Sequence, residues 1–312
     1  MRTVRLTQDG LILRETGRPA CGPDEVLVRT AGCGVCEGDV FHYRSRLGTQ
    51  PPFEVDIGHE GSGIVEQVGA NVEGLVPGDA VTALCGNYAE FFVAPPTSLV
   101  KLPPAVAPVR ALGEPLACCV HAAWRFGIRL GDRVAILGCG FMGLVCLQLA
   151  RLMGAAHVAA FDLLSWRLDV ARSLGADETA NSDRLAPAEA TERYGEFDVV
   201  IEAAGSDSVI DLATALIRQH GTLSLVGYHQ SNGGRRNVPM QVWNFKAITV
   251  VNGHVRREDE KLAAAKAAMD LLASGRLTLD PLVTDYPLAD ANRAFADLVG
   301  RKPGLFKANL VP

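Results

Sequence analysis

A chain of 312 residues is long enough to bury two cores, and a composition of 48% hydrophobic and 21% charged residues excludes an unfolded chain. A net charge of −5 leaves no basic surplus to hold a nucleic-acid backbone, and no apolar run approaches the length of a membrane span. Residues 1–9 lack the apolar core of a signal peptide. Eight irregularly spaced cysteines do not form the framework of a secreted disulfide protein. The expectation is a cytoplasmic protein whose partner is a small molecule, with neither nucleic acid nor membrane involved.

Residues 1 to about 110 read as β-rich. Short alternating or apolar runs at 25–30, 63–68 and 88–93 are separated by Gly, Pro and Asp turns, and 76–81 reads as a turn feeding a strand. The Pro-rich stretch 101–108 marks a change in texture. From Gly113 onward apolar strands at 133–137, 157–162, 197–203, 221–226 and 247–251 alternate with helical runs, including 164–174, 207–219 and a long closing helix over 258–274. This alternation predicts an α/β chain with a doubly wound parallel sheet and right-handed crossovers. The expected division is a first domain of 1–115 with 275–312, and a nucleotide-binding Rossmann domain of 116–274.

The strand 133–137 runs into Gly138-Cys139-Gly140-Phe141-Met142-Gly143, and an apolar helix follows. Nineteen positions past Gly143, Asp162 closes the next apolar run. Strand, glycine turn, helix, strand and acid in this order form the dinucleotide-binding fingerprint. Gly138 makes the tight turn, Gly140 lets the backbone approach the pyrophosphate, and Gly143 lets helix and strand pack closely. The helix N-terminus, with Phe141 and Met142 in its first turn, offers N–H groups and a positive dipole end to the phosphates. Asp162 suits ribose hydroxyls and opposes a 2′-phosphate by about 4 kcal/mol per charge pair at 4 Å and an effective dielectric of 20. NAD is therefore expected over NADP, with Arg167, five positions later, able to soften the discrimination.

Three clusters in the first part of the chain carry metal-ligand chemistry: 34–39 with Cys36 and Asp39, 58–63 with His59 and Glu60, and 113–116 with Glu114. Zinc takes thiolate, imidazole and carboxylate together, and a catalytic site keeps one position open. Taken singly, Cys36 reads equally well as a buried small residue, His59 as a turn histidine and Glu114 as a helix N-terminal acid. Cys33 and Cys36 match CxxC, but no second such pair completes a four-cysteine zinc site.

The motifs GVC-x-x-D (34–39), GHEGSGIVEQVG (58–69), PGDAV (77–81), GEPL (113–116), GDRVAILGCGFMG (131–143) and GTLSLVG (221–227) resemble those of zinc-dependent medium-chain dehydrogenase/reductases, in the polyol branch with sorbitol and threonine dehydrogenases. The resemblance implies a GroES-like β-rich catalytic domain beside the Rossmann domain, with one catalytic zinc and a nicotinamide in the cleft they form. It implies hydride transfer between a secondary alcohol (polyol, cyclitol or amino-alcohol) and NAD. Cys36 and His59 become zinc ligands, Glu60 and Glu114 compete with water for the remaining positions, and Asp39 orients His59. Val226 and Gly227 fall where the nicotinamide carboxamide is contacted. A homodimer or homotetramer is implied, with 247–251 as a candidate interface edge.

The chain departs from that family in three places. Only residues 84–87 stand where a lobe with four cysteines usually binds a structural zinc, so no such zinc is expected. Gly38 replaces the hydroxyl that begins the usual proton relay, leaving His42 as the nearest imidazole in sequence. Glu37 puts an acid where the family often has a basic residue or glycine, suiting an ammonium group on the substrate. The rival readings are a zinc-free NADPH-dependent C=C or quinone reductase, a redox-neutral enzyme that retains NAD, and a non-catalytic binding relative.

Overall fold

The structure is a computed structural model and describes residues 1–312. In chain order it has β1 (Arg2–Thr7), β2 (Gly10–Glu15), β3 (Val26–Gly34), α1 (Glu37–Arg46), β4 (Glu54–Asp56), β5 (Glu60–Val68), β6 (Ala80–Ala83), β7 (Phe91–Ala94), β8 (Leu99–Lys101) and α2 (Gly113–Ala123). Then follow β9 (Arg133–Leu137), α3 (Phe141–Leu152), β10 (His157–Asp162), α4 (Ser165–Ser173), β11 (Glu178–Asn181), α5 (Pro187–Tyr194), β12 (Phe197–Glu202), α6 (Val209–Leu216) and β13 (Ile217–Leu225). The chain closes with α7 (Met240–Lys246), β14 (Thr249–Asn252), α8 (Glu258–Ala273), β15 (Val283–Pro287), α9 (Ala291–Val299) and β16 (Lys307–Val311). It divides into two compact units, 1–117 with 257–312, and 118–256. No helix is long and apolar enough to cross a membrane.

The first unit holds a three-stranded sheet, β2-β1-β4, and a seven-stranded sheet in which β15-β16-β3-β5-β6-β8 lie in order and β7 also pairs with β3. Strands β3 and β5 run antiparallel with Gly34 opposite Glu60, and β16 runs antiparallel to β3 with Asn309 opposite Gly34. Their ends therefore gather residues just past 34, just before 60 and just before 309. Two apolar clusters support this corner. One includes Val4, Leu6, Tyr88, Phe295 and Leu310, and the other Val26, Val28, Val65, Val81 and Phe92.

The units part at 117/118 and 256/257, not at 115/116 and 274/275 as the sequence suggests. The long helix, α8, belongs to the first unit because it buries Ala264, Ala265, Ala268 and Met269, and Lys261 on it pairs with Glu114. Alternation along the chain assigns that helix to the preceding βα repeat; its apolar face assigns it elsewhere.

In the second unit six parallel strands lie in the order β11-β10-β9-β12-β13-β14, over a core that includes Leu137, Phe161, Phe197, Val200, Leu212 and Leu223. The strand order reverses beside β9, and ligands of such sheets bind outside the strands' carboxyl ends at that switch point. The helix expected over 207–219 stops at Leu216, because Ile217 already pairs with Phe197 and the chain passes straight into β13. Edge strand β11, Glu-Thr-Ala-Asn, carries no apolar run and leaves no strand signal in the sequence.

Candidate metal and dinucleotide sites

The register of β3, β5 and β16 builds the first site. Cys36 caps the N-terminus of α1: its Sγ accepts the Gly38 N–H at 3.4 Å, and Asp39 Oδ2 accepts the Cys36 N–H at 3.3 Å. This reciprocal cap fixes both side chains at the helix start. Asp39 Oδ1 lies 3.4 Å from His59 Nδ1, and the phenol of fully buried Tyr88 donates to Asp39 Oδ2 at 2.6 Å. With Nδ1–H turned to Asp39, the Nε2 lone pair of His59 is left to a metal. One ligand atom each from Cys36, His59 and Glu60 lies within 4.8 Å of the others.

Glu60 is wholly buried. Its Oε1 accepts from Lys307 Nζ at 2.7 Å, and the same ammonium donates to Val35 O at 3.1 Å. Oε2 has no hydrogen-bond partner. A buried carboxylate oxygen left bare costs several kcal/mol unless a cation faces it. Burial raises Asp39, but His59, the Tyr88 hydroxyl and the Cys36 N–H outweigh it and hold the carboxyl below its usual range. The Asp39 and Cys36 side chains push His59 up to about 11 against the effect of burial. Burial pushes Glu60 up, with Lys307 pulling the other way. The pocket thus gathers acceptors around a place where a positive charge is favoured, and a bound dication reverses the need for a proton on His59. Sulfur, imidazole nitrogen and a bare carboxylate oxygen form a set that zinc accepts.

Glu114, a candidate ligand, and His42, the candidate relay imidazole, both lie outside the cluster. Glu114, in the first turn of α2, lies outside the cluster and pairs with Lys261 Nζ at 2.5 Å; its charge still raises the Glu60 carboxyl. His42 is exposed on α1 and is not part of the cluster. Glu37 is exposed at the start of the same helix. Sequence reasoning missed Lys307 and Tyr88. The lone lysine in the apolar run of β16 was the available signal for the first; nothing local marked the second.

In the second unit Gly138 has φ +98°, and a Cβ there would press on the Ala204 backbone. A Cβ on Gly143 would run into the Gly138 carbonyl, whereas one on Gly140 would meet only Arg167 Nη1 at 3.9 Å. The turn is closed where strand and helix meet and open where phosphates would approach. Phe141 is buried and Met142 Sδ touches Cys119 Sγ at 3.5 Å, so both side chains pack inward. Asp162 is buried and accepts from the N–H groups of Cys139 at 2.7 Å and Leu164 at 2.9 Å, so it braces the glycine turn itself. Arg167 Nη1 lies 3.8 Å from its Oδ2.

Val226 and Gly227 both donate their N–H to the Glu202 carbonyl, and a Cβ on Gly227 would strike the Gly205 backbone and Glu202 Oε2. Fully buried Glu202 takes the N–H groups of Ala204 and Gly205 on Oε1 and faces His229 Nε2 at 2.9 Å with Oε2. Neither Glu202 nor His229 stood out in the sequence. Beyond them opens a cavity of about 320 Å³ bordered by Gly227, Asn252, Arg125 and Arg256.

Residues 22–104 match the alcohol dehydrogenase GroES-like domain, and residues 142–274 match the zinc-binding dehydrogenase family. The sorbitol dehydrogenase of Gallus gallus is 32% identical over 89% of this chain and 87% of its own. The L-threonine 3-dehydrogenase of Bacillus velezensis is 30% identical over 97% and 96%. The crystal structure of a zinc-binding dehydrogenase from Sinorhizobium meliloti 1021, bound to NADP, superposes with a TM-score of 0.87 at 27% identity, covering 100% of this chain and 99% of that one. With both halves of the chain matched and these relatives spanning nearly all of it, the protein belongs to the zinc-type medium-chain dehydrogenase/reductases, in their polyol dehydrogenase branch.

Proposed function

We propose that this dehydrogenase holds one zinc ion on Cys36, His59 and Glu60 and moves a hydride between a secondary alcohol and a nicotinamide dinucleotide, NAD in preference to NADP. The observation that carries the zinc assignment is the bare, fully buried Oε2 of Glu60 beside the Cys36 sulfur and the His59 ring. When bound, zinc supplies a Lewis acid for the alcohol or carbonyl oxygen, and the nicotinamide takes or returns the hydride. Asp39 holds the imidazole in one tautomer, and Lys307 takes Oε1 of Glu60 while leaving Oε2 bare beside the cluster. A zinc-free reductase has no use for such a carboxylate.

The preference for NAD rests on Asp162 at the carboxyl end of β10, whose charge Arg167 offsets only in part at 3.8 Å. Val226 and Gly227 receive the nicotinamide, and the amide groups that open α3 receive the pyrophosphate. The oligomer in this reading is built by a second copy on edge strand β14, where Val250 is exposed, and on α7, where Met240, Val242 and Phe245 are exposed.

Cys36→Ala tests the metal reading. Zinc content by atomic emission is expected to fall towards zero. Turnover should drop about a thousandfold, the loss of several kcal/mol of charge stabilisation, while titrated NADH binding persists. Full turnover by metal-free wild-type protein defeats the assignment.

A further inference from the structure

In the second unit two turns meet beside Gly227, and three side chains tie them together. A Cβ on Gly205 would strike the Tyr228 backbone, and one on Gly227 would strike both the Gly205 backbone and Glu202 Oε2. The turn after β12 and the turn after β13 are therefore in backbone contact, with the Glu202 carboxylate lying against Gly227 itself.

That carboxylate is held from both sides. Oε1 accepts the N–H groups of Ala204 at 2.8 Å and Gly205 at 2.6 Å. Oε2 lies 2.9 Å from His229 Nε2, and no third group reaches either atom as a hydrogen-bond partner. Arg236 Nε donates to the other ring nitrogen, Nδ1, at 2.8 Å. A guanidinium has no acceptor and keeps its protons, so Nδ1 must offer its lone pair. The His229 proton then sits on Nε2 and points at Glu202. The neutral ring bridges a cation and an anion, accepting from one and donating to the other.

Arg236 closes the circuit. Its Nη2 donates at 3.1 Å to the carbonyl of Gly205, the residue whose N–H serves Glu202. Nη1 donates to the carbonyls of Ser231 and Arg235, and Asp207 Oδ1 lies 3.2 Å from Nε. The guanidinium, 9% exposed, thus staples residues 229–236 onto the turn after β12. Removing the imidazole would leave Glu202 Oε2 buried and bare, a cost the carboxylate relieves by shifting, and Gly227 rests on it.

Building on the proposed function, which seats the nicotinamide at Val226 and Gly227, we propose that Glu202, His229 and Arg236 are positioning residues for that ring. Their closed circuit fixes the 226–227 backbone, and His229 in its Nε2–H form is the member that completes it.

The test titrates zinc-loaded protein by calorimetry with NADH and with ADP-ribose, which lacks the nicotinamide. Wild type should bind NADH the more tightly. His229→Leu fills the place of the ring but neither accepts nor donates. It should weaken NADH about 10-fold, the size of one lost charge-assisted hydrogen bond, and leave ADP-ribose unchanged, which also shows that the unit is folded. His229→Gln, whose amide can accept from Arg236 and donate to Glu202, should recover most of the loss. In protein labelled with 15N-histidine, the wild-type ring should show a protonated Nε2 and a bare Nδ1, a signal identified by its absence from His229→Gln. A preference for NADH that survives His229→Leu, an equal weakening of both ligands, or a protonated Nδ1 overturns the positioning role and leaves the dehydrogenase reading standing. Wild type that binds NADH no more tightly than ADP-ribose overturns the nicotinamide seat at 226–227, and the positioning role with it.

Discussion

At the residue scale, the metal pocket depends on a relay of hydrogen bonds that begins outside it. Tyr88 donates to Asp39, and Asp39 faces the His59 ring, so a phenol that touches no ligand atom helps set the imidazole's orientation. The Tyr88 ring is also held by packing edge-on to Phe295, at 6.0 Å between centroids. Tyr88→Phe therefore keeps the ring and removes only the donor. Zinc affinity, measured by competition with a chromophoric chelator, should fall about 10- to 100-fold, as losses behind a metal ligand usually do, with little change in folding. Unaltered affinity would remove Tyr88 from the relay. Gly38 belongs to the same scale: a Cβ there would meet Cys36 Sγ at an ordinary 3.6 Å, so no steric need explains the missing hydroxyl.

At the element scale, Asp177 pins three pieces of the nucleotide-binding sheet together. Its Oδ2 accepts the Val158 N–H at 2.7 Å and its Oδ1 accepts Arg151 Nη2 at 2.6 Å, joining the end of α3, β10 and the approach to β11. Burial raises this carboxyl, but the Val158 N–H and Arg151 outweigh it, and the folded pKa lies below its ordinary value. A depressed carboxyl stabilises the fold above its unfolded pKa, near 3.9, and that stability is lost as pH falls through the lower folded value. Asp177→Asn should cost about 1 kcal/mol at pH 7, kept small by the partial exposure of the pair. That corresponds to about 2 to 4 °C in Tm, with the gap to wild type closing below about pH 4. A gap that stays constant from pH 7 to pH 3 would show that the charge does not matter.

At the scale of the whole molecule, β14 offers an edge on which a second chain can pair. It is the outer strand of a six-stranded parallel sheet, and α7 just before it exposes Met240, Val242 and Phe245. An uncovered strand edge with apolar neighbours invites pairing with another chain. If a second copy lies there, Val250→Lys should shift light scattering from a dimer or larger species towards the monomer mass. Retention of the wild-type mass would move the interface elsewhere.

What could be read from the sequence was whatever local chemistry dictates. A turn that needs a positive φ at residue 138 and tolerates no side chain at residue 143 must be written in glycine, whereas the acid read as a ribose acceptor at residue 162 is seen only in the structure to brace that turn as well. Cys36, His59 and the parallel sheet were legible for the same reason. Composition could not say which of two glutamates would join the cysteine and histidine. That was decided by lysines far along the chain: Lys261 on α8 takes Glu114, while Lys307, 247 residues from Glu60, holds that carboxylate by one oxygen and leaves the other bare. The placement of α8 and the early end of α6 were likewise fixed only in the folded chain. Each depends on strand register and on charges brought together by tertiary contacts, and neither is encoded by the spacing of residues along the chain.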